Sequence, residues 1–154
     1  MVNTEQLIKY AQHPELALEN LVELMALLEN NDESIQNYSS EALENCGAPR
    51  FEDIPFLRKQ LKSGQSTSVY WACTLIGRLD EDAIRNVREA IQTELCIPIT
   101  DDSLELSARE KAAWAMGEFG PVTATNRDVL QKHVSKAPPR LKRLLESALA
   151  LEQR

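Results

Sequence analysis

Apolar and small residues recur three and four positions apart along most of the chain, and one small-residue pattern comes back three times, as SIQNYSSEALENCG, TSVYWACTLIGRLD and SAREKAAWAMGEFG. Aligning Leu43, Ile76 and Met116 gives steps of 33 and 40 residues, and a further 33 reaches Leu149 inside LESALALE. That period is the length of a helical hairpin, a unit that buries its apolar face only by stacking on the next copy. Ala42, Leu75, Ala115 and Ala148 share one column of the register, and Cys46, Leu79 and Phe119 share another. In the clearest copy Ala108, Ala112, Ala115, Met116 and Phe119 follow the spacing i, i+4, i+7, i+8, i+11, which sets all five on one helical stripe. Small residues on that stripe let a neighbouring helix approach closely.

Other helices lie between these copies. Pro14 suits the first turn of one carrying Leu18, Leu21, Val22, Met25 and Leu28, and Asp53 and Pro55 open one carrying Leu57 and Leu61 that stops at Gly64. Asp80 or Asp82 caps the next, with Ile84, Val87, Ile91 and Leu95 inward. Asn126 to Lys136 turns Leu130 and Val134 the same way, and Pro138 and Pro139 start the last helix. The pattern predicts a short helix near 4–12 and four helix pairs at 15–47, 51–79, 81–119 and 125–152. The seven extra residues of the third copy are expected around Ile97 to Ser103, where Pro98 and Asp101 to Ser103 read as a loop and cap. No segment alternates with period two, so no sheet is expected. The predicted class is all-α, an α-α superhelix occupying residues 1–154 as a single domain.

The residues Ala108, Arg109, Ala112, Ala113, Ala115, Met116, Gly117, Phe119, Gly120 and Pro121 resemble the second helix of a HEAT-like repeat, the short bacterial kind also found in phycobilisome chromophore-lyase subunits. The copy with Ala72, Cys73, Leu75, Ile76, Gly77 and Leu79 is similar, but Asp80 stands where the pattern has glycine. The first copy has Glu44 in place of the inner glycine and keeps Gly47, and the fourth is degenerate. The resemblance implies a right-handed solenoid of about four hairpins whose second helices line a concave, armadillo-like surface. Its motif specifies packing and not chemistry. Members of the family are mostly binding scaffolds, with a minority of enzymes.

Charge narrows the partners. The 24 acidic and 17 basic residues give a net −7, and such a chain repels phosphate backbones, which argues against nucleic acid. The first 48 residues hold nine acids against Lys9 alone, whereas residues 121–154 hold seven bases against three acids. That asymmetry also permits head-to-tail self-association. Cys46, Cys73 and Cys96 are odd in number and set among apolar or small residues, as expected of reduced, buried thiols. With no signal-peptide pattern in MVNTEQLIKYAQ and no apolar run of membrane-spanning length, a cytoplasmic protein is expected, without membrane contact.

The residues offer little chemistry. His13 and His133 form no metal-binding pair, so the metal sites of HEAT-repeat hydroxylases have no counterpart. No GxSxG elbow is present, and cysteines in apolar columns make poor nucleophiles. Asp101, Asp102 and Glu105 read as a helix cap with favourable dipole charges, since their spacing matches no calcium loop. No catalytic residue, metal or cofactor is expected.

One constellation stands out. With the apolar stripe centred near Ala112 and Ala115, positions 110, 114 and 118 turn away from it. Through the register, those columns hold Asn37, Tyr70 and Glu110; Glu41, Thr74, Trp114 and Ser147; and Asn45, Arg78 and Glu118, with Tyr38, Trp71 and Lys111 on the flank. The resemblance would put Tyr70 and Trp114 on the concave surface and Trp71 at its edge or packed between repeats. The expected partner-binding set is Tyr70, Trp114, Trp71, Tyr38, Glu41, Arg78, Glu110 and Glu118, an aromatic patch with a mostly acidic rim. The function expected is a noncatalytic scaffold or adaptor for a protein or peptide, one of basic character included. The alternative is an enzyme subunit or accessory factor resembling a chromophore-lyase component. A HEAT-like DNA glycosylase would need a basic groove, and only Arg78 and Lys111 are available.

Overall fold

The computed structural model describes residues 3–151, and every regular element among them is helical. None of these helices is long and apolar enough to cross a membrane. By their internal contacts the residues form two compact units, one ending at Phe56 and one beginning at Leu57.

The first unit contains α1 (Thr4–Gln12), α2 (Pro14–Glu19), α3 (Leu21–Leu27) and α4 (Glu33–Asn45), with α1, α2 and α3 packed on α4. Asn3 starts α1 with a reciprocal cap: its side chain accepts from the Gln6 backbone at 2.9 Å, and Gln6 accepts from the Asn3 backbone at 3.2 Å. Asp32 caps α4 through the Ser34 N–H. The single helix expected after Pro14 is broken at Asn20, where the side-chain amide donates to the Leu16 carbonyl at 2.8 Å and the backbone leaves helical geometry. A short polar side chain has outcompeted the helical ladder there. Leu7, Leu24, Ala42 and Leu43 close the core of this unit.

A 3-10 turn (Phe51–Asp53) leads into α5 (Ile54–Gln60), within which the unit boundary falls. The second unit continues with α6 (Ser66–Ile76), α7 (Glu81–Ile84), α8 (Arg88–Ile99), α9 (Leu106–Glu118), α10 (Ala124–Val134) and α11 (Pro139–Leu149). Here α9 packs against α6, α8 and α11, and α10 packs against α8 and α11. The alanine stripe explains the central place of α9: Ala108, Ala112, Ala115 and Met116 are wholly buried, and methyl-sized side chains let three helices reach one axis. Leu75 and Ala148, their column mates on α6 and α11, are also wholly buried.

Two expected boundaries shift. Asp80 caps through the Ala83 N–H, but the helix it starts ends at Ile84, and α8 begins afresh at Arg88 after Val87 leaves helical geometry. The loop expected from Ile97 begins later, because α8 runs through Pro98 to Ile99. Proline forfeits one ladder bond there, yet the burial of Leu95, Pro98 and Ile99 holds the last turn, and the Thr100 hydroxyl donates to the Cys96 carbonyl at 2.9 Å. Asp101 does not cap α9: its carboxylate accepts from the Ser103 N–H and hydroxyl in a tight turn, which holds it below the usual carboxylate range. Asp102 pairs with Arg109 at 3.2 Å.

Candidate functional site

Tyr70 projects from the middle of α6, and Glu110, Lys111 and Trp114 from successive turns of the neighbouring α9; with Ser107 and, from α11, Arg140 and Leu144 they line an open groove of about 370 Å³. Spacing on α9 brings this about. Positions 110 and 111 each lie three or four residues from both 107 and 114, so the four share one face, which borders the buried alanine stripe. The Lys111 ammonium lies 4.6 Å from the centroid of the Trp114 ring and 5.4 Å from that of Tyr70. Its charge meets the negative faces of two π systems, an arrangement contributing about 0.5–2 kcal/mol depending on desolvation. Tyr70 also meets Trp71 edge-on, with centroids 5.4 Å apart and planes at 84°.

Trp114 is half-buried because of what it rests on. At Gly77, which ends α6, an added Cβ would lie 2.3 Å from Trp114 Cζ3 and 2.6 Å from Cη2, so the indole occupies space that only glycine leaves open. Gly117, the other inner glycine of the repeat pattern, has nothing within 4 Å of its Cβ position and serves no close packing. Opposite the aromatics, Arg140 reaches across from α11 to Glu110 at 3.0 Å; the arginine side chain is 76% exposed and Glu110 only 16%. A pair that open contributes at most about 1 kcal/mol.

The structure thus gathers three residues of the expected set, Tyr70, Trp114 and Glu110, into one groove. Trp71 is 8% exposed and lies behind Tyr70. Glu118 lines a different cleft of about 1000 Å³ with Arg85, Arg88, Phe119 and Gly120, and Arg78 lines neither. Tyr38 and Glu41 stand on α4 of the first unit, half-buried and exposed respectively. The expected set lacked Arg140, Leu144 and Ser107. The first two come from the degenerate fourth copy, whose alignment carried no usable register; Lys111 was on the flank in sequence and is central in space.

The larger cleft is held by polar anchoring. Arg88 Nη2 donates to the Pro121 carbonyl at 3.1 Å, and Arg85 pairs with Asp82 at 2.5 Å. Burial pushes the Cys73 thiol well above the ordinary range and that of Cys96 up to about 11, so these two stay protonated near neutrality. His133 Nδ1 lies 3.1 Å from the Val129 carbonyl, within its own helix. The groove thus brings together two aromatic faces, one cation covering them and one ion pair.

No protein-family model matches the chain, and no curated protein sequence matches it significantly. Among solved structures, the crystal structure of an engineered protein from the Northeast Structural Genomics Consortium is similar, with a TM-score of 0.59 and 22% identity over 95% of this chain and 70% of that one. At that identity the likeness concerns the fold: an all-helical architecture shared over nearly the whole chain.

Proposed function

We propose that the chain is a noncatalytic interaction module, a HEAT-like α-solenoid that binds a protein or peptide in the groove between α6, α9 and α11. The observation that carries the reading is the display of Tyr70 and Trp114, from two neighbouring helices, in one open groove. Rigid aromatic side chains that remain accessible are the usual anchors of interfaces, since they present large area at small entropic cost. The solenoid part is supported by packing within the second unit: α6, α9 and α11, the second helices of successive predicted hairpins, neighbour one another in order, and α8 and α10, the corresponding first helices, do the same.

The test is site-specific photo-crosslinking in extract of the source cell, with a benzophenone side chain placed at position 70, 144 or, as control, 131 on the exposed face of α10. The same partner should be captured from positions 70 and 144 and not from 131. A partner captured only from 131, or none from 70 and 144, would remove the groove as the interface.

A further inference from the structure

The charge of the groove is opposite to that of the molecule. The chain carries net −7, yet the groove is lined by two cations, Lys111 and Arg140, against the single anion Glu110. Glu110 is engaged by Arg140. Lys111 has no carboxylate within 4.0 Å among the described residues and is held over the two rings instead. One turn beyond Arg140 on α11, the exposed Arg143 also has no ion pair among the described residues. Ring faces satisfy an ammonium only in part: they supply quadrupole attraction and no hydrogen-bond acceptor, so the donors of Lys111 stay available to one.

We infer that the groove recognises a peptide segment carrying a carboxylate side chain beside an apolar one, the carboxylate placed between Lys111 and Arg140 and the apolar side chain against Tyr70, Trp114 and Leu144. The inference rests on the groove being an interface, and it assigns the sign and chemistry of the partner. A basic ligand meets two obstacles: its cation would have to displace Lys111 from the rings and then lie beside two like charges. A nucleic-acid strand has the right local sign, but its row of phosphates would have to pass Glu110 and a molecule of net −7, whereas a single carboxylate matches Lys111, the groove cation that has no ion pair among the described residues.

Selection of random dodecapeptides displayed on phage against the full chain tests this, followed by calorimetric titration of the synthetic winners. Enriched peptides should place Asp or Glu within two residues of Leu, Ile, Phe or Trp. The Lys111→Glu/Arg140→Glu variant should bind them at least about tenfold more weakly, as expected for loss of a charge-assisted contact. The milder Lys111→Gln and Arg140→Gln variants should fall between, with melting temperatures showing that each is folded. Basic or neutral winners whose binding is lost on Tyr70→Ala would overturn the acidic ligand and leave the groove an interface. Winners indifferent to Tyr70→Ala and to both charge variants, or no enrichment at all, would overturn both readings. Competition by a decathymidine oligonucleotide at matched charge would assign the groove to nucleic acid and overturn the peptide.

Discussion

Replacing Gly77 by alanine tests the physical account of the groove, because it adds one methyl group beneath Trp114. Backbone geometry does not oppose the change: Gly77 has φ −63° and ψ −14°, which alanine adopts freely, so the reduced entropy of the unfolded chain alone would stabilise by about 0.4–1 kcal/mol. The obstacle is steric. A contact of 2.3 Å must open to at least 3.4 Å, so the indole has to retreat by about 1.1 Å, toward the groove and away from its seat. Overpacking of this kind costs about 1–3 kcal/mol, and the net expectation is a destabilisation of about 0.5–2 kcal/mol, or a few degrees in melting temperature for a chain of this size. Urea unfolding followed by tryptophan fluorescence reads the right region, since Trp71 and Trp114 both belong to the second unit. The sharper measurement is a double-mutant cycle. In a Trp114→Ala background the clash is gone, so Gly77→Ala should change sign and stabilise, giving a coupling of about 1–3 kcal/mol. Gly77→Ala that stabilises equally in both backgrounds would refute the seat assigned to Trp114.

Gly120→Val should destabilise by about 1–2 kcal/mol, because φ is +74° there and a Cβ would lie 2.8 Å from Arg88 Nη2; unchanged thermal stability would show that the helix end relaxes without strain. Alkaline stability follows the thiols. Burial raises Cys96 from 9.0 to about 11 and Cys73 in the same direction, so the unfolded chain releases these protons first and stability falls as pH climbs from about 9 toward 11. Cys96→Ala should flatten that slope between pH 9 and 11, and a slope identical to that of the parent protein would count against a buried, protonated thiol.

How far the sequence carries depends on what sets each feature. Period and small-residue columns announced α4, α6 and α9, because burial against neighbours imposes them at every turn; Ala42, Leu75, Ala115 and Ala148 are all wholly buried. The breaks at Asn20 and before Arg88 were not legible, since apolar positions continue across both; at Asn20 the side-chain amide competes with the ladder, and at Val87 the backbone alone departs from helical geometry. Pro98 misled in the opposite direction, being tolerated in the last turn of a helix whose neighbouring side chains are buried. Tyr70 and Trp114 could be placed together by register alone. The role of Lys111 could not, because a long flexible side chain from the flank crosses to rings on two helices. Arg140 and Leu144 stayed hidden behind a fourth copy too degenerate to align.

Gln92 has a different kind of consequence. Wholly buried on α8, it donates from Nε2 to the Pro121 carbonyl at 3.0 Å and accepts from the Thr123 N–H at 3.1 Å, while Arg88 adds a second donor to the same carbonyl. These side chains read the main chain of the α9–α10 connection, and a main chain looks alike whatever residues it carries. At Pro121 and Thr123 the connection is therefore fastened through its main chain, while Gly120 with φ +74° and the buried Phe119 and Val122 still constrain its sequence. Side chains at Ala124 and Thr125, exposed in the first turn of α10 just beyond the clasp, are open to rewriting, because α8 holds the chain beside them by its main chain.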